Sequence, residues 1–111
     1  MPTDRPDLLQ GTLDLLILRT LELGPLHGWA VAKRIEQLSR DVLSVGQGSL
    51  YPALYRMEDR GLVKAAWGRS DEGRRVKLYA LTPRGRRAFA EEKASWRTLS
   101  AAVERVLEAS G

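Results

Sequence analysis

Cysteine is absent from this 111-residue chain, histidine occurs once and phenylalanine once. Without thiols there is no disulfide frame, no thiolate nucleophile and no cysteine zinc site, and a reducing cytoplasm is the expected setting. The lone His27 has no second imidazole with which to assemble a nucleophile–base pair or a ligand set, so neither an enzyme nor a metal or cofactor site is expected. Nowhere do about 18 apolar residues follow one another, which argues against a membrane span. The start, MPTDRPDLLQ, carries acid early and lacks the apolar run of a secretory leader. No glycine-rich phosphate loop follows a strand, and no internal repeat or low-complexity tract is present.

What is there is ordinary in bulk and basic in balance. The chain is 43% hydrophobic and 29% charged, with a net charge of +4. That length suits a single domain burying roughly two thirds of its unfolded surface. The basic excess permits a polyanionic partner without demanding one.

The stretch that organises the chain is GQGSLYPALYRMEDRGL, from Gly46 to Leu62. Leu50, Ala53, Leu54 and Met57 recur at helical spacing and define an inward face. Ser49, Tyr51, Pro52, Tyr55, Arg56 and Asp59 are left outside, and Gly61 stands where a left-handed cap ends a helix. A helix that only needed wetting would show more Glu and Lys. This one presents aromatic and hydrogen-bonding groups.

Before it, Leu8 to Leu23 predicts a helix capped near Thr12 and stopped by Gly24-Pro25. Its apolar residues cover more than one face, which points to burial on two sides, the second facing another subunit, the alternative being an unusually apolar core helix. Gly28 to Ser39 predicts a second helix with Val31, Ile35 and Leu38 inside. Asp41 to Val45 is β-branched and short, one rung of sheet. After the third helix the period changes to two. Val63, Ala65 and Trp67, then Val76, Leu78 and Ala80, alternate as two strands around a tip marked by Gly68, Asp71 and Gly73. Thr82-Pro83 opens a last helix running to about Ala109, on the order of 40 Å long.

Helix, helix, short strand, helix and hairpin is the order of a winged helix-turn-helix. The expected fold is therefore mainly α with a small β-hairpin wing, extended by a long C-terminal helix. Residues 1–82 form the winged part, with the first helix also in a dimer interface. Residues 83–111 form the dimerisation helix. Along that helix Phe89, Trp96 and Val103 are seven residues apart, as are Leu99 and Val106, which is a coiled-coil-like seam interrupted at Glu92. A helix of this length has nothing left in its own domain to cover such a stripe.

Three blocks, LLQGTLDLLILRTLELGPLHGWAVAKRIEQLS, GSLYPALYRMEDRGLV and GRRVKLYALTPRG, arrive in an order that resembles the PadR family of bacterial transcriptional regulators. The resemblance covers nearly the whole chain and implies a winged helix followed by a helical dimerisation element, in its short-tailed form. Trp29 stands where members often have Tyr, and Gly46-Gln47 where Ser-Pro is frequent. It also implies a homodimeric repressor of transcription, released by a small molecule or another signal.

The residues expected to touch duplex DNA are Gln47, Ser49, Tyr51, Tyr55 and Arg56 on the third helix, Lys33 with Arg34 more weakly on the second, and Arg69, Arg74 and Arg75 on the wing. Amides and guanidinium groups pair with base edges in the major groove, hydroxyls suit phosphates, and wing arginines suit the backbone or a narrow minor groove. The operator is then roughly palindromic. Leu13, Leu16, Phe89, Trp96, Leu99, Val103 and Val106 are the expected dimer contacts. Trp96 either fills the dimer core, the favoured reading, or lines a pocket for a flat apolar effector. His27 is expected to cap or turn the second helix. The alternative function is a winged helix used as a protein-docking module, which would need an apolar outer face on the third helix.

Overall fold

The computed structural model describes residues 8–111. The loose start expected over Met1 to Pro6 lies outside them. The elements are α1 (Gln10–Glu22), β1 (Leu26–His27), α2 (Gly28–Leu38), α3 (Gln47–Asp59), β2 (Val63–Arg69), β3 (Arg75–Leu81) and α4 (Pro83–Leu107). Three helices pack around one apolar centre, and a three-stranded antiparallel sheet in the order β1-β3-β2 closes one side.

Each helix owes its place to a periodic apolar stripe. α1 buries Leu13, Ile17, Leu18 and Leu21; α2 buries Val31, Ala32 and Ile35; α3 buries Leu50, Ala53, Leu54 and Met57. Each of the larger of these side chains contributes roughly 1.5–3 kcal/mol when fully removed from water. The one buried polar side chain in this core, Thr20, donates its hydroxyl to the Leu16 carbonyl at 2.7 Å, so it carries no unpaired group. Val63, Tyr79 and Leu81 seal the sheet side and Phe89 of α4 completes the cluster.

Four local expectations are corrected. The first helix starts at Gln10, after an extended Leu9 with no side-chain cap, so Thr12 lies inside it rather than at its end. Leu38 is exposed, because α2 finishes there and its last turn overhangs the core. Asp41 to Val45 forms no strand. Arg40 and Asp41 take left-handed backbone angles and the Asp41 N–H donates to the Glu36 carbonyl, so the chain wraps the end of α2 instead of extending. The third strand is Leu26–His27, which pairs with Leu78 and Tyr79 of β3. Gly68 is not at the hairpin tip but inside β2, where a Cβ would strike the Leu78 side chain at 2.5 Å.

The joint between hairpin and last helix is built with more care than its length suggests. Gly61 turns the chain out of α3 with φ of 74°. The Thr82 hydroxyl accepts the Gly85 N–H at 3.0 Å as the cap of α4 and donates to the Gly61 carbonyl at 2.6 Å. Pro83 follows at the first helical position, where its missing N–H removes nothing. Gly85 is buried against the Leu62 backbone: a Cβ there would sit 2.0 Å from the Leu62 carbonyl oxygen. The first turns of α4 are thus pressed onto the β2 entrance.

Farther on, α4 leaves the body. The extents of the molecule are 58 × 38 × 20 Å and its radius of gyration is 15.6 Å, against about 13 Å for a compact chain of this length. Leu99, Val103, Val106 and Leu107 are exposed on it.

The Gly85 contact supplies a test. Gly85→Ala should lower the urea midpoint by an amount equivalent to about 1–3 kcal/mol, the usual cost of forcing a methyl into filled space. An unchanged midpoint would show that α4 can retreat from Leu62 freely.

Candidate nucleic-acid interface

α3 is held by its apolar face, and what its other sides carry is therefore fixed in direction. Gln47 and Tyr55 are exposed, and Tyr51 is half-buried because its ring lies over the start of α2. A Cβ on Gly28 would fall 2.7 Å from the Tyr51 ring, so a larger residue there would have to displace that ring. Tyr51 and Tyr55 stand with ring centroids 6.3 Å apart. His27 caps α2, its Nδ1 accepting the Ala30 N–H at 3.4 Å, in keeping with the role expected of it.

Two aromatic and cationic tracks leave the tyrosines in different directions. The first is a cleft of about 480 Å³ between wing and α2, lined by His27, Trp29, Tyr51, Ser70, Glu72, Arg74 and Val76. His27 and Trp29 stack in near-parallel planes, and the Lys33 ammonium lies 5.3 Å from the centre of the indole. Lys33 also reaches Glu36 at 3.8 Å. The second track runs along the hairpin. The Lys77 ammonium is 6.0 Å from the Tyr55 ring, 5.6 Å from the Tyr79 ring and 3.9 Å from a Glu58 carboxylate oxygen. Lys77 lies across from Trp67 in the β2–β3 register, and the Arg75 guanidinium covers the Trp67 ring at 4.5 Å.

The three wing arginines therefore do different things. Arg74 faces the cleft and Arg75 lies on Trp67. Arg69 donates to the Gly73 carbonyl at 2.9 Å and closes the hairpin tip. Spacing alone made them equivalent; the hairpin separates them, since Arg69 and Arg75 oppose each other in the β2–β3 register while Arg74 lies in the turn just before β3.

Arg56 and Ser49 lie on another flank of α3. Ser49 opens toward Leu8, Leu13, Ser44 and Val45. Arg56 points back toward α1, with its Nη2 3.8 Å from Asp14 Oδ1. That separation is too long for a hydrogen bond, and the Asp14 oxygen is buried with no hydrogen-bond partner. Burial raises the Asp14 carboxyl above its ordinary value; Arg56 and Arg60 oppose the rise, and Glu92 of α4 adds to it. Arg56 is thus shared between the outer surface and an acid of α1, which its position in the outward set did not foretell.

The expected dimer contacts divide as well. Leu13 and Phe89 are each only 3% exposed, closed inside their own subunit's core, and so are corrected as surface contacts. Leu16 is half-buried beside α2. Trp96 and Leu99 do face outward, and with Leu9, Leu15, Glu92 and Ser95 they line a groove of about 290 Å³ between α1 and α4. Val103 and Val106 continue the exposed stripe, 46% and 76% accessible. Leu9 and Leu107 are exposed on this side as well and were not among the expected contacts: Leu9 stands just before α1, where the expected helix had already begun, and Leu107 falls outside the seven-residue spacing.

Three helices with a hairpin that extends past the third, followed by a long terminal helix, define a winged helix-turn-helix protein of the transcription-regulator type. The chain matches the transcriptional regulator PadR-like family over residues 17–91, and it belongs to that family. A crystal structure of a PadR-like transcriptional regulator from Bacillus cereus superposes with a TM-score of 0.80 at 27% identity, covering 92% of this chain and 97% of that one. A transcriptional regulator of Mycobacterium tuberculosis is 37% identical over 68 residues, 61% of this chain and 63% of that protein. An uncharacterized protein in a transposon of Streptomyces fradiae is 42% identical over 89 residues, which is 80% of this chain but 24% of that protein. This chain thus spans about a quarter of the transposon protein's length. Family and fold together place the chain among PadR-like transcriptional regulators. Among the described residues no helix is long and apolar enough to cross a membrane.

Asp14 gives a pH prediction. Its folded-state pKa is raised, so the folded chain holds the proton more tightly than the unfolded one, and stability falls as pH rises between the ordinary and the raised value. Above that window the loss is complete. Asp14→Asn should flatten this slope in urea titrations across the acidic range; a slope identical to that of the parent protein would show that Asp14 is not its source.

Proposed function

We propose that this chain is a homodimeric, sequence-specific DNA-binding repressor in the cytoplasm, released from its operator by a small apolar effector or another signal. The observation that carries the reading is the outer surface of α3. It shows Gln47, Tyr51 and Tyr55, and it is flanked by two tracks of cations laid against aromatic rings. Such a surface suits a polyanion with readable edges: phosphates give most of the affinity and a few base contacts give the choice of sequence. A protein-docking face would be apolar there.

In this reading α3 enters the major groove, with Gln47 and Tyr55 nearest the base edges. Tyr51, Lys33 and Arg74 meet one strand's backbone through the cleft, while Lys77 and Arg75 meet the backbone from the wing. Arg56 contributes only when it leaves Asp14, and Ser49 serves a flanking phosphate. Arg69 acts through the shape of the tip.

Dimerisation supplies the second half of the reading. Residues 83–111 act as the dimer element, with Trp96, Leu99, Val103 and Val106 meeting the same stripe of a second copy, helped by Leu16 and the exposed Leu9. Two copies would hold their α3 helices about 34 Å apart, one turn of duplex, which calls for a roughly palindromic operator. The groove of Leu9, Leu15, Trp96 and Leu99 lies against that seam and is a suitable seat for a flat apolar effector.

Operator selection from a random duplex pool, followed by titration, tests the first half. Tyr55→Ala should weaken the selected operator roughly five- to tenfold, the worth of a single contact of about 1–1.4 kcal/mol, with thermal stability unchanged because the ring is exposed. Equal affinity for operator and random duplex in the parent protein would refute sequence-specific binding. The second half is tested by sedimentation. Leu99→Glu with Val103→Glu should convert dimers to folded monomers; a dimer that persists in the double variant would refute the α4 seam.

A further inference from the structure

We propose that Trp67 is a positioning residue for Arg75, holding the wing's cation in a fixed orientation for a backbone phosphate. This inference rests on the DNA-binding reading above and deepens it. Trp67 continues the Val63, Ala65, Trp67 alternation whose first two members turn toward the core, yet it is 63% exposed. The reason is geometric. At Trp67 the strand has run beyond the apolar centre, so the core-facing side of the sheet becomes an open surface beside Tyr55. An indole left in water at a hairpin is an unfavourable use of a large apolar ring, and the hairpin covers it with charge. The Arg75 guanidinium lies 4.5 Å from its centre, Lys77 stands directly across from it, and Arg75 itself pairs with Arg69 in the register.

The arrangement has a chemical purpose that packing alone lacks. A guanidinium held over a ring is attracted through its charge and spends none of its N–H groups on a hydrogen-bond acceptor there. It therefore stays free to donate to a phosphate while its stem and face are immobilised. Arg75 has no carboxylate partner among the described residues' ion pairs. By contrast Lys77 is drawn toward Glu58 and Arg69 is occupied with the Gly73 carbonyl. Of the cations on this side of the hairpin, Arg75 is the one that is oriented and uncommitted. Holding a long side chain in its bound geometry before the partner arrives removes part of the ordering cost of binding.

A double-mutant cycle on the full-length protein tests this, with the selected operator and a random duplex as probes and added salt as the variable. Trp67→Ala should weaken both duplexes about two- to fivefold, the worth of an exposed cation–ring contact. Trp67→Phe should restore most of the loss, since a flat ring is all that is required. Arg75→Ala should weaken both and reduce the slope of log affinity against log salt by about one. In the Arg75→Ala background, Trp67→Ala should do nothing more. Melting temperatures of the four variants, expected to agree with the parent's because both side chains are exposed, separate this from damage to the fold. Full additivity of the two substitutions, or an unchanged affinity on Trp67→Ala, overturns the positioning role while leaving DNA binding intact. A parent protein without salt-dependent affinity for any duplex overturns both.

Discussion

The rest of the structure depends on how firmly α3 is seated. Leu50, Ala53, Leu54 and Met57 are almost wholly removed from water, and they meet Ile17, Leu18 and Leu21 of α1 and Val31 and Ile35 of α2 in a single apolar cluster. Their combined burial is worth several kcal/mol, a large share of the net stability of a domain of this size. Such a helix cannot rotate about its axis without exposing that stripe. Its outer side chains are thereby aimed by the core, although none of them belongs to it.

Much of this was legible in the residues. The stripe of α3, the cap at Thr82, the turn at Gly61 and the shift from a period of 3.6 to one of two each have a local physical cause, and local causes can be read from a one-dimensional chain. The uncovered stripe on α4 was legible too, because a helix longer than its domain must leave something bare. What escaped was what depends on relations between elements. Phe89 has the same spacing as Trp96, yet it is spent in the core because Gly85 lets the start of α4 lie against the Leu62 backbone. Leu26–His27 is too short to show a period, and it is a strand only because β3 lies beside it. The apolar Asp41 to Val45 segment resembled a strand in composition, whereas the left-handed angles at Arg40 and Asp41 come from closing the end of α2.

The candidate surface was legible by residue type but not by direction. Tyr51, Tyr55 and Arg56 occur within six positions and look equivalent on paper. In three dimensions Tyr51 leans on Gly28, Tyr55 on the hairpin and Arg56 on Asp14. Asp14 is an acid in an otherwise leucine-rich helix, and that anomaly was the available signal for the Arg56 contact. Its cost is visible as an oxygen without a hydrogen-bond partner. The acid also feels the charges of Arg60, just past the end of α3, and of Glu92 of α4. Electrostatic influence among α1, α3 and α4 is thus concentrated at one half-buried carboxylate.

The contact between Tyr51 and the bare backbone of Gly28 has a mechanical corollary. With no methyl between them, the ring of one helix bears directly on the first turn of the next, and a tilt of either presses on the other. The placement of the outer tyrosine and the entry of the preceding helix thus fix each other, although no covalent or hydrogen-bonded link joins the two at that point.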